Sequence, residues 1–198
     1  MSDHQIYTGL GPLPYILEQG AIPLPLHGIN PRSIMGRAAW DVMRKEIYAR
    51  HGYRCAACGT PSHEAIILQR LEAHERFEID FRKREMWLIG MEPLCHACHR
   101  FVHGGLMQVM LAQKKLPSAT AHRILEHGTA VLRQIGGRVP IHAHQLCTHF
   151  GLKHGLKVAK APPASGWSGW KLIWEGRDYP SPYPTEADYR RRIGKIGR

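Results

Sequence analysis

The sequence predicts an α+β protein organised around a small ββα module that a zinc site staples together. The first observation is a pair of Cys-x-x-Cys motifs, Cys55/Cys58 and Cys95/Cys98, with 36 residues between them. The second is that the intervening segment contains two short runs of strand-forming residues. The third is that helix signals flank both motifs. We therefore expect a strand pair and a helix joined by four cysteines, with helical and basic C-terminal extensions.

Length and composition argue against several classes of protein. The chain has 198 residues, and its 43% hydrophobic content is sufficient for a core, which argues against a wholly disordered chain. No run approaches the roughly 18 apolar residues of a membrane-spanning helix. The first residues lack the basic and apolar regions of a secretory signal. We therefore expect a cytoplasmic protein with no membrane partner.

Basic charge is concentrated in the second half of the chain. The net charge is +11 at pH 7. Residues 1–40 are neutral overall and residues 41–103 carry a net charge of +1, whereas residues 104–150 and 151–198 carry +4 and +6. A positive surplus favours a polyanionic partner, and charge alone leaves DNA, RNA and a lipid surface open. The division suggests a metal-organised module with a basic appendage that holds a phosphate backbone.

The N-terminal flank is predicted to form an arm followed by a helix. Residues 1–35 are rich in proline and glycine, which predicts an extended or irregular wrapping segment and not a domain. Asn30-Pro31 supplies a helix start, and Gly52 supplies a stop. An apolar stripe at helical spacing predicts that this helix packs on the metal module. The stripe comprises Ala39, Trp40, Met43 and Ile47.

The four paired cysteines are predicted to bind a structural zinc ion. Two residues between thiolates allow a tight knuckle, so each pair supplies two ligands to a tetrahedral ion. Gly59 follows the first pair, as such a turn often requires. The alternatives are two disulfides or a chance pattern. The fifth cysteine, Cys147, lies among His142, His144 and His149, which fits either a second metal cluster or an ordinary partly buried helix.

Two strands are predicted between the cysteine motifs. The segment Ile66–Glu75 begins with strand-forming residues and ends in a metal-capable pair, His74-Glu75. A second strand is predicted at 86–89, just before Gly90. The predicted order is therefore knuckle, strand, strand, knuckle and helix.

The helix after the second strand is predicted to carry metal ligands. If it starts in the second knuckle, His99 and His103 lie at i and i+4 on one face, a spacing that can chelate a divalent cation. Alternatively, one of these histidines completes the zinc site or caps the helix. Gly104-Gly105 is predicted to end this turn and, with it, a module that spans 36–104.

The rest of the chain is predicted to form a helical extension over 105–160 and a basic hairpin-helix unit over 161–198. A strand at 170–174 and a return strand lead to a capping box at Thr185, ahead of an arginine-rich helix. These basic residues suit phosphate contact, although an ordinary solvated face is the alternative for 141–160. The residues predicted to bind nucleic acid are Lys153, Lys157, Arg190, Arg191, Arg192 and Lys195.

The middle of the chain, about 38–104, resembles the HNH endonucleases, whose ββα-metal fold often carries a four-cysteine zinc site. The first-strand motif is Leu71-Glu72-Ala73-His74-Glu75, and the closing motif is Cys95-His-Ala-Cys98-His99-Arg-Phe-Val-His103. The helix leading to Cys55 is also similar to that family. The chain looks most like HNH-like proteins of phages and prophages that have a His-Glu pair at the strand end.

The resemblance implies specific roles for the residues of these motifs. His74, His99 and His103 match the ligands of a catalytic ion, and the implied catalytic residues are His74, Glu75 and His99. Glu75 stands where most members place a general-base histidine, and Gly90 lies near the usual asparagine. Rival bases are His51, His63 and His96.

The implied activity is metal-dependent hydrolysis of DNA phosphodiester bonds in a bacterial cell, with a phage or prophage origin. The second divalent ion would be Zn²⁺, Mn²⁺, Ni²⁺ or Mg²⁺, and three imidazoles favour a transition metal over Mg²⁺. An ordinary glutamate titrates near about 4.3, which makes Glu75 a weak base at neutral pH.

Other roles stay open at this point. Glu75 instead orients an imidazole or pairs with Arg76, because adjacent residues of a strand point to opposite faces. The alternative function is a catalytically inactive, zinc-stapled nucleic-acid-binding or adaptor protein. Its partner would then be a protein of a phage, bacterial or defence complex.

Overall fold

The computed structural model of the chain describes residues 11–196, with side chains as far as Arg192, and it confirms the α+β class. The α-helices are α1 (Pro31–Arg50), α2 (His96–Val102), α3 (Gly104–Ala112), α4 (Ser118–Arg133), α5 (Ile141–His149) and α6 (Glu186–Ile196). The strands are β1 (Leu71–Asp80), β2 (Glu85–Cys95), β3 (Arg138–Val139), β4 (Lys157–Val158), β5 (Lys171–Trp174) and β6 (Arg177–Pro180). No helix in this part of the chain is long and apolar enough to cross a bilayer.

One four-stranded sheet contains the predicted strand pair. Its order is β1-β2-β5-β6. Strand β5 runs parallel to β2, with Leu172 beside Met86, and antiparallel to β6, with Leu172 beside Tyr179. The short strands β3 and β4 form a separate parallel pair. The β5–β6 hairpin agrees with the strand and return strand predicted from the sequence.

The chain folds as two compact units, each assembled from separate stretches. The first contains Val42–His74, Met91–Ala161 and residues before Ile22, and the second contains Ile22–Asp41, Glu75–Gly90 and the chain from Pro162. The division of the chain into the four consecutive segments 1–35, 36–104, 105–160 and 161–198 stays a prediction.

Each unit has its own apolar core. The first core buries Leu94 and Phe101 together with the apolar sides of α4 and α5, and three of the four paired cysteines are buried within it. The second core is built around Trp170, which is 1% exposed and donates a hydrogen bond from its indole nitrogen to the Gly166 carbonyl. This burial makes Trp170 a core residue of the second unit.

The predicted N-terminal arm contains only two short 3₁₀ helices, Pro14–Glu18 and Leu24–Leu26, within its described part. Residues 1–10 of the arm lie outside the described residues. Helix α1 follows, and the backbone N–H of Ser33 donates to Asn30 Oδ1 over 2.9 Å. The helix is interrupted at Gly36, whose φ of 81° is accessible to glycine at little cost.

The first strand begins later than the sequence predicts. Strand β1 starts at Leu71, and 66–70 forms a series of bends. The reason is a tight turn in which Ile67 has φ 75° and the Leu68 N–H bonds to the Ile66 carbonyl. A local turn thus overrides the strand propensity of these apolar residues.

Helix α2 ends at Val102, just before the Gly104-Gly105 pair that was predicted to end it, and α3 begins at Gly104 itself. A Cβ at Gly104 would lie 3.0 Å from the Ala143 backbone nitrogen. The glycine therefore allows α3 to approach the start of α5 closely, which is a packing role.

Helices α2 and α4 are packed even more closely. A Cβ atom built at Gly128, in the middle of α4, would overlap the ring of Phe101 on α2. Phe101 is fully buried. This contact holds α4 against the helix that carries His99.

Candidate metal centres

Four thiols converge where the two cysteine motifs meet. The Sγ atoms of Cys55, Cys58, Cys95 and Cys98 all lie within 4.8 Å of one another, and those of Cys58 and Cys95 are 3.9 Å apart. Gly59, with φ 75°, turns the first knuckle so that its N–H bonds to the Cys55 carbonyl. Four thiols at this spacing can hold a metal ion such as zinc, as the motif predicts.

Hydrogen bonds among these thiols shift their pKa values in opposite directions. Bonds from Cys55, Cys95 and Cys98 hold the pKa of Cys58 well below its usual range. The pKa of Cys95 is raised, because its thiol bonds to Cys55 and Cys58. A bound zinc ion would deprotonate all four. The all-sulfur donor set therefore fits a closed structural site.

An additional histidine lies against this thiol cluster. His127, on α4, places Nε2 3.3 Å from Cys98 Sγ and 4.0 Å from Cys95 Sγ. An N–H donated to a thiolate withdraws negative charge from sulfur and fixes its orientation. The sequence analysis missed His127, because it is 29 residues from Cys98 and only the packing of α4 brings it there.

Three histidines converge at a second site, also within the first unit. The ligand nitrogens of His74, His99 and His103 lie within 4.8 Å of one another. His74 comes from β1 and is 1% exposed, whereas the other two come from α2 and its C-terminal cap. The sequence spacing predicted two ligands, His99 and His103, and a residue of a strand supplies the third. Three imidazoles can hold a divalent transition metal ion.

A carboxylate lies against one of these imidazoles, His99, and against a neighbouring histidine outside the cluster, His96. Glu72 Oε2 lies 2.6 Å from Nδ1 of His99, and Oε1 lies 3.0 Å from Nδ1 of His96. Arg70 also donates to Oε1. Burial acts to raise the pKa of Glu72, but bonds from these histidines and from Arg70 hold it well below its usual range. Because Nδ1 of His99 faces the Glu72 carboxylate, the opposite ring nitrogen, Nε2, is the one available for a metal ion.

The third imidazole of the site is held in its neutral form. Burial, and then the charges of His99 and Arg100, lower the pKa of His103 to about 3. A neutral imidazole has the lone pair that coordination requires. The protonation state of His103 therefore favours a ligand role.

Glu75 and Gly90 lie outside this imidazole cluster. Glu75 is the half-buried residue of β1 that follows His74, and Gly90 lies within β2. Neither belongs to the two groups of close ligand atoms found in the described part of the chain. The base role of Glu75 stays a prediction.

The rival bases are held in other contacts. His51 is committed at both nitrogens, because Nε2 lies 3.1 Å from Glu92 and Nδ1 lies 3.0 Å from the Ile47 carbonyl. His96 is buried and donates to Glu72. His63 is exposed and pairs with its neighbour Glu64. Two of the three rivals thus have a carboxylate partner inside the fold.

The predicted nucleic-acid contacts are divided between the units. Lys153 and Lys157 are exposed in the first unit. In the second, the exposed side chains of Arg190 and Arg191 pair within α6, with Glu186 and Asp188 respectively. Arg192 is exposed on the same helix, while the side chain of Lys195 lies outside the described residues.

The fifth cysteine does not join a cluster of metal-binding side chains. Cys147 is a buried free thiol on α5. The only groups of three or more close ligand atoms found between residues 11 and 192 are the thiol cluster and the imidazole cluster. The ordinary-helix interpretation of 142–149 thus describes this segment.

Comparison with known protein families, with curated proteins and with solved structures finds no match. The likeness to HNH endonucleases therefore depends on the motifs and on the two clusters described above.

Proposed function

We propose that the protein is a metal-dependent, HNH-like endonuclease that hydrolyses DNA phosphodiester bonds. One observation carries the proposal, namely that His74 from a strand converges with His99 and His103 from α2 and its cap, in the same compact unit as a four-thiol cluster. The order of strand, strand and helix around these residues also supports it.

The side chains present fit a divalent ion at each cluster. Cys55, Cys58, Cys95 and Cys98 would hold a structural zinc ion, and His74, His99 and His103 would hold a second ion such as Zn²⁺, Mn²⁺ or Ni²⁺. Such an ion supplies Lewis-acid stabilisation of the phosphate charge that develops during hydrolysis. Glu72 keeps the His99 ring turned towards the site, and burial keeps His103 neutral.

Glu75 is the residue of the chain best placed by sequence to accept the proton of the attacking water. It directly follows His74, whereas His51 and His96 are committed to carboxylates. Neighbouring strand residues face opposite ways, and β1 continues past both residues to Asp80, so this role requires a local bend within the strand at Glu75.

A second candidate function is a zinc-stapled adaptor or nucleic-acid-binding protein without turnover. The engagement of His51 and His96 favours it, because two of the three histidines that could replace the usual base are then committed to other contacts. Its partner would be DNA or a protein of a phage or bacterial complex, with the cell interior as its setting.

Cleavage assays with matched variants distinguish the two. The zinc-loaded wild type should nick or cut plasmid DNA, lose activity in EDTA and regain it with Mn²⁺ or Ni²⁺. His74→Ala should reduce the rate at least about 100-fold, and Glu75→Gln should reduce it about 100-fold if Glu75 acts as the base. His149→Ala, at an exposed histidine of α5 with no proposed catalytic role, is the control and should retain full activity.

Metal analysis makes the assay decisive. Two ions per chain with a cleaving wild type support the nuclease. The non-catalytic candidate replaces the nuclease if the protein holds one zinc ion per chain, binds DNA in a salt-sensitive way and leaves plasmid intact with every metal. Binding that survives His99→Ala would agree with that outcome.

A further inference from the structure

A cleft of about 800 Å³ lies beside the turn that joins β1 to β2. Its lining comes from the end of β1, the turn, the first half of β2 and Pro163, so the cleft lies wholly within the second unit. The volume is typical of sites that bind a small molecule. No residue of this lining belongs to the thiol cluster or to the imidazole cluster.

Two apolar side chains of the lining are not buried by the core of this unit. Met86 and Leu88 of β2 belong to the second core. Trp87 and Ile89 alternate with them along the strand, and successive strand residues point to opposite faces. Trp87 is therefore only half-buried, and Ile89 is 51% exposed. An apolar surface with a polar rim is typical of a ligand-binding groove.

Two cations of the turn form part of the rim. Arg82 and Lys83 are exposed, and their backbone N–H groups donate to Asp80 Oδ1 over 2.8 and 3.0 Å. These two bonds form a local turn that fixes the position of both residues. Lys83 Nζ lies 6.0 Å from the centre of the Trp87 ring, which places a positive charge near the aromatic face. The guanidinium of Arg82 forms no ion pair with a described residue.

The acidic side chains of the lining leave these cations available. Asp80 uses Oδ1 for the turn, and its Oδ2 is 4.0 Å from Lys83 Nζ. An exposed pair at this distance contributes little to stability, and the Lys83 side chain is 67% exposed, so its ammonium can move towards a ligand. Glu78 is exposed and forms no ion pair with a described residue. The cleft thus combines an aromatic surface, two cations and one carboxylate acceptor.

We propose that this cleft binds one unpaired nucleotide of a DNA strand. The base stacks on the indole of Trp87, and Arg82 and Lys83 contact the adjoining phosphates. The carboxylate of Glu78 accepts from an amino group of the base. A flat ring joined to an anion matches a cleft that has an aromatic wall and a cationic rim. The inference rests on the proposed function for the class of polymer, and it adds that at least one base of the bound DNA is unpaired.

The test compares two fluorescein-labelled strands of equal length by fluorescence anisotropy, with the zinc-loaded full chain and no added Mn²⁺ or Ni²⁺. One strand is ordinary single-stranded DNA, and the other consists of abasic sugar-phosphate units. The wild type should bind the ordinary strand about 5- to 100-fold more tightly, because stacking of a base on an aromatic ring strengthens binding by about that factor. Trp87→Ala should abolish this preference. Arg82→Gln should keep it and lower the slope of log affinity against log salt by about 0.7 in magnitude.

Three further variants make the result interpretable. Trp174→Ala removes a half-buried tryptophan of β5 outside the cleft lining and should keep the wild-type preference. Arg177→Gln removes an exposed arginine of β6 outside the lining and should keep the wild-type salt slope. Trp87→Phe retains an aromatic face and should keep part of the preference. It replaces Trp87→Ala if that variant loses thermal stability.

The outcomes separate this inference from the proposed function. Equal affinity of the wild type for the two strands, or a preference that folded Trp87→Ala retains, would overturn the nucleotide site even if the protein cuts plasmid. A preference that depends on Trp87 in a protein that leaves plasmid intact would support the nucleotide site and remove the nuclease. Binding to phosphatidylserine vesicles that depends on Trp87, with equal affinity for the two strands, would assign the cleft to a lipid headgroup and overturn the inference.

Discussion

Single atoms decide how the histidine cluster is oriented. Glu72 has two oxygens, and each faces the Nδ1 atom of a different histidine, His96 or His99. A carboxylate behind a ligating imidazole fixes the ring and strengthens its lone pair. Glu72 lies two residues before His74, on the same face of β1, which places it next to the site.

Glu72→Gln should weaken binding of the second ion about 10- to 100-fold. The amide can accept from one histidine only, and it presents N–H groups to the other. Titration with Mn²⁺ or Ni²⁺ after zinc loading measures the change. Glu64→Gln, at an exposed pair with His63, is the control and should bind metal like the wild type. Equal affinities for both variants would contradict the orienting role.

The contact between two helices shows how an element can limit substitution. Gly128 leaves just enough room on α4 for the ring of Phe101 on α2. Interiors are packed so closely that an added methyl group must displace a neighbour. Because Gly128 has no side chain, α4 can pack directly against α2 and fix the position of the helix that carries His99.

Gly128→Ala should lower the free energy of unfolding by about 1–3 kcal/mol, because the new Cβ overlaps Phe101. Gly105→Ala is the matched control on α3, where the nearest atom, in His142, is 3.5 Å away. It should raise stability by about 0.5–1 kcal/mol, since alanine favours the helix. Urea denaturation measures both. A destabilisation of equal size at the two sites would indicate a general intolerance of helix substitutions.

The secondary-structure elements also show which features can be predicted from the sequence. The thiol cluster and the pair His99/His103 follow from short spacings, because ligands close in sequence are constrained by local geometry. The contact of His127 with the thiols depends on how α4 packs, and no spacing encodes that. The bends at 66–70 were missed because one left-handed residue outweighed the strand propensity of its neighbours.

At the scale of the whole molecule, the thiol cluster links residues that are far apart in sequence. Zinc bound there would contribute its binding free energy to folding, since the unfolded chain has no preformed site. The first core is built around these knuckles, so loss of the ion would be felt throughout that unit.

Cys95→Ser should remove about one zinc ion per chain and lower the free energy of unfolding by about 4 kcal/mol or more, as expected for loss of a metal. Cys147→Ser, at the buried thiol of α5, is the control. It should keep its zinc and lose only about 1–3 kcal/mol for burying a hydroxyl. Elemental analysis and denaturation measure both. Full zinc content in Cys95→Ser would contradict the four-thiol site.

Global stability should also depend on pH through a histidine pair outside the metal clusters. His154 accepts the Leu156 N–H at Nδ1 and lies 3.0 Å from His144 at Nε2. Burial, and then the charges of His144 and Arg133, lower the pKa of His154. As pH falls, the unfolded chain therefore binds a proton at this residue before the folded chain does. The free energy of unfolding then decreases as pH falls below about 6.5.

His154→Gln should flatten the loss of stability between about pH 6.5 and pH 5, because the amide can accept from Leu156 without titrating. Denaturation across this range measures the slope. His149→Gln, at an exposed histidine at the end of α5, should leave the wild-type profile intact. An unchanged slope in His154→Gln would show that other groups dominate the acid side.

The closeness of Cys58 and Cys95 has a redox consequence. Sulfur atoms 3.9 Å apart need only a small movement to form a disulfide when an oxidant removes two electrons. Metal and oxidant would then compete for the same atoms, because a disulfide sulfur no longer binds zinc as a thiolate does. Peroxide treatment after chelation should therefore trap the chain in a cross-linked form, whereas zinc added first should protect it.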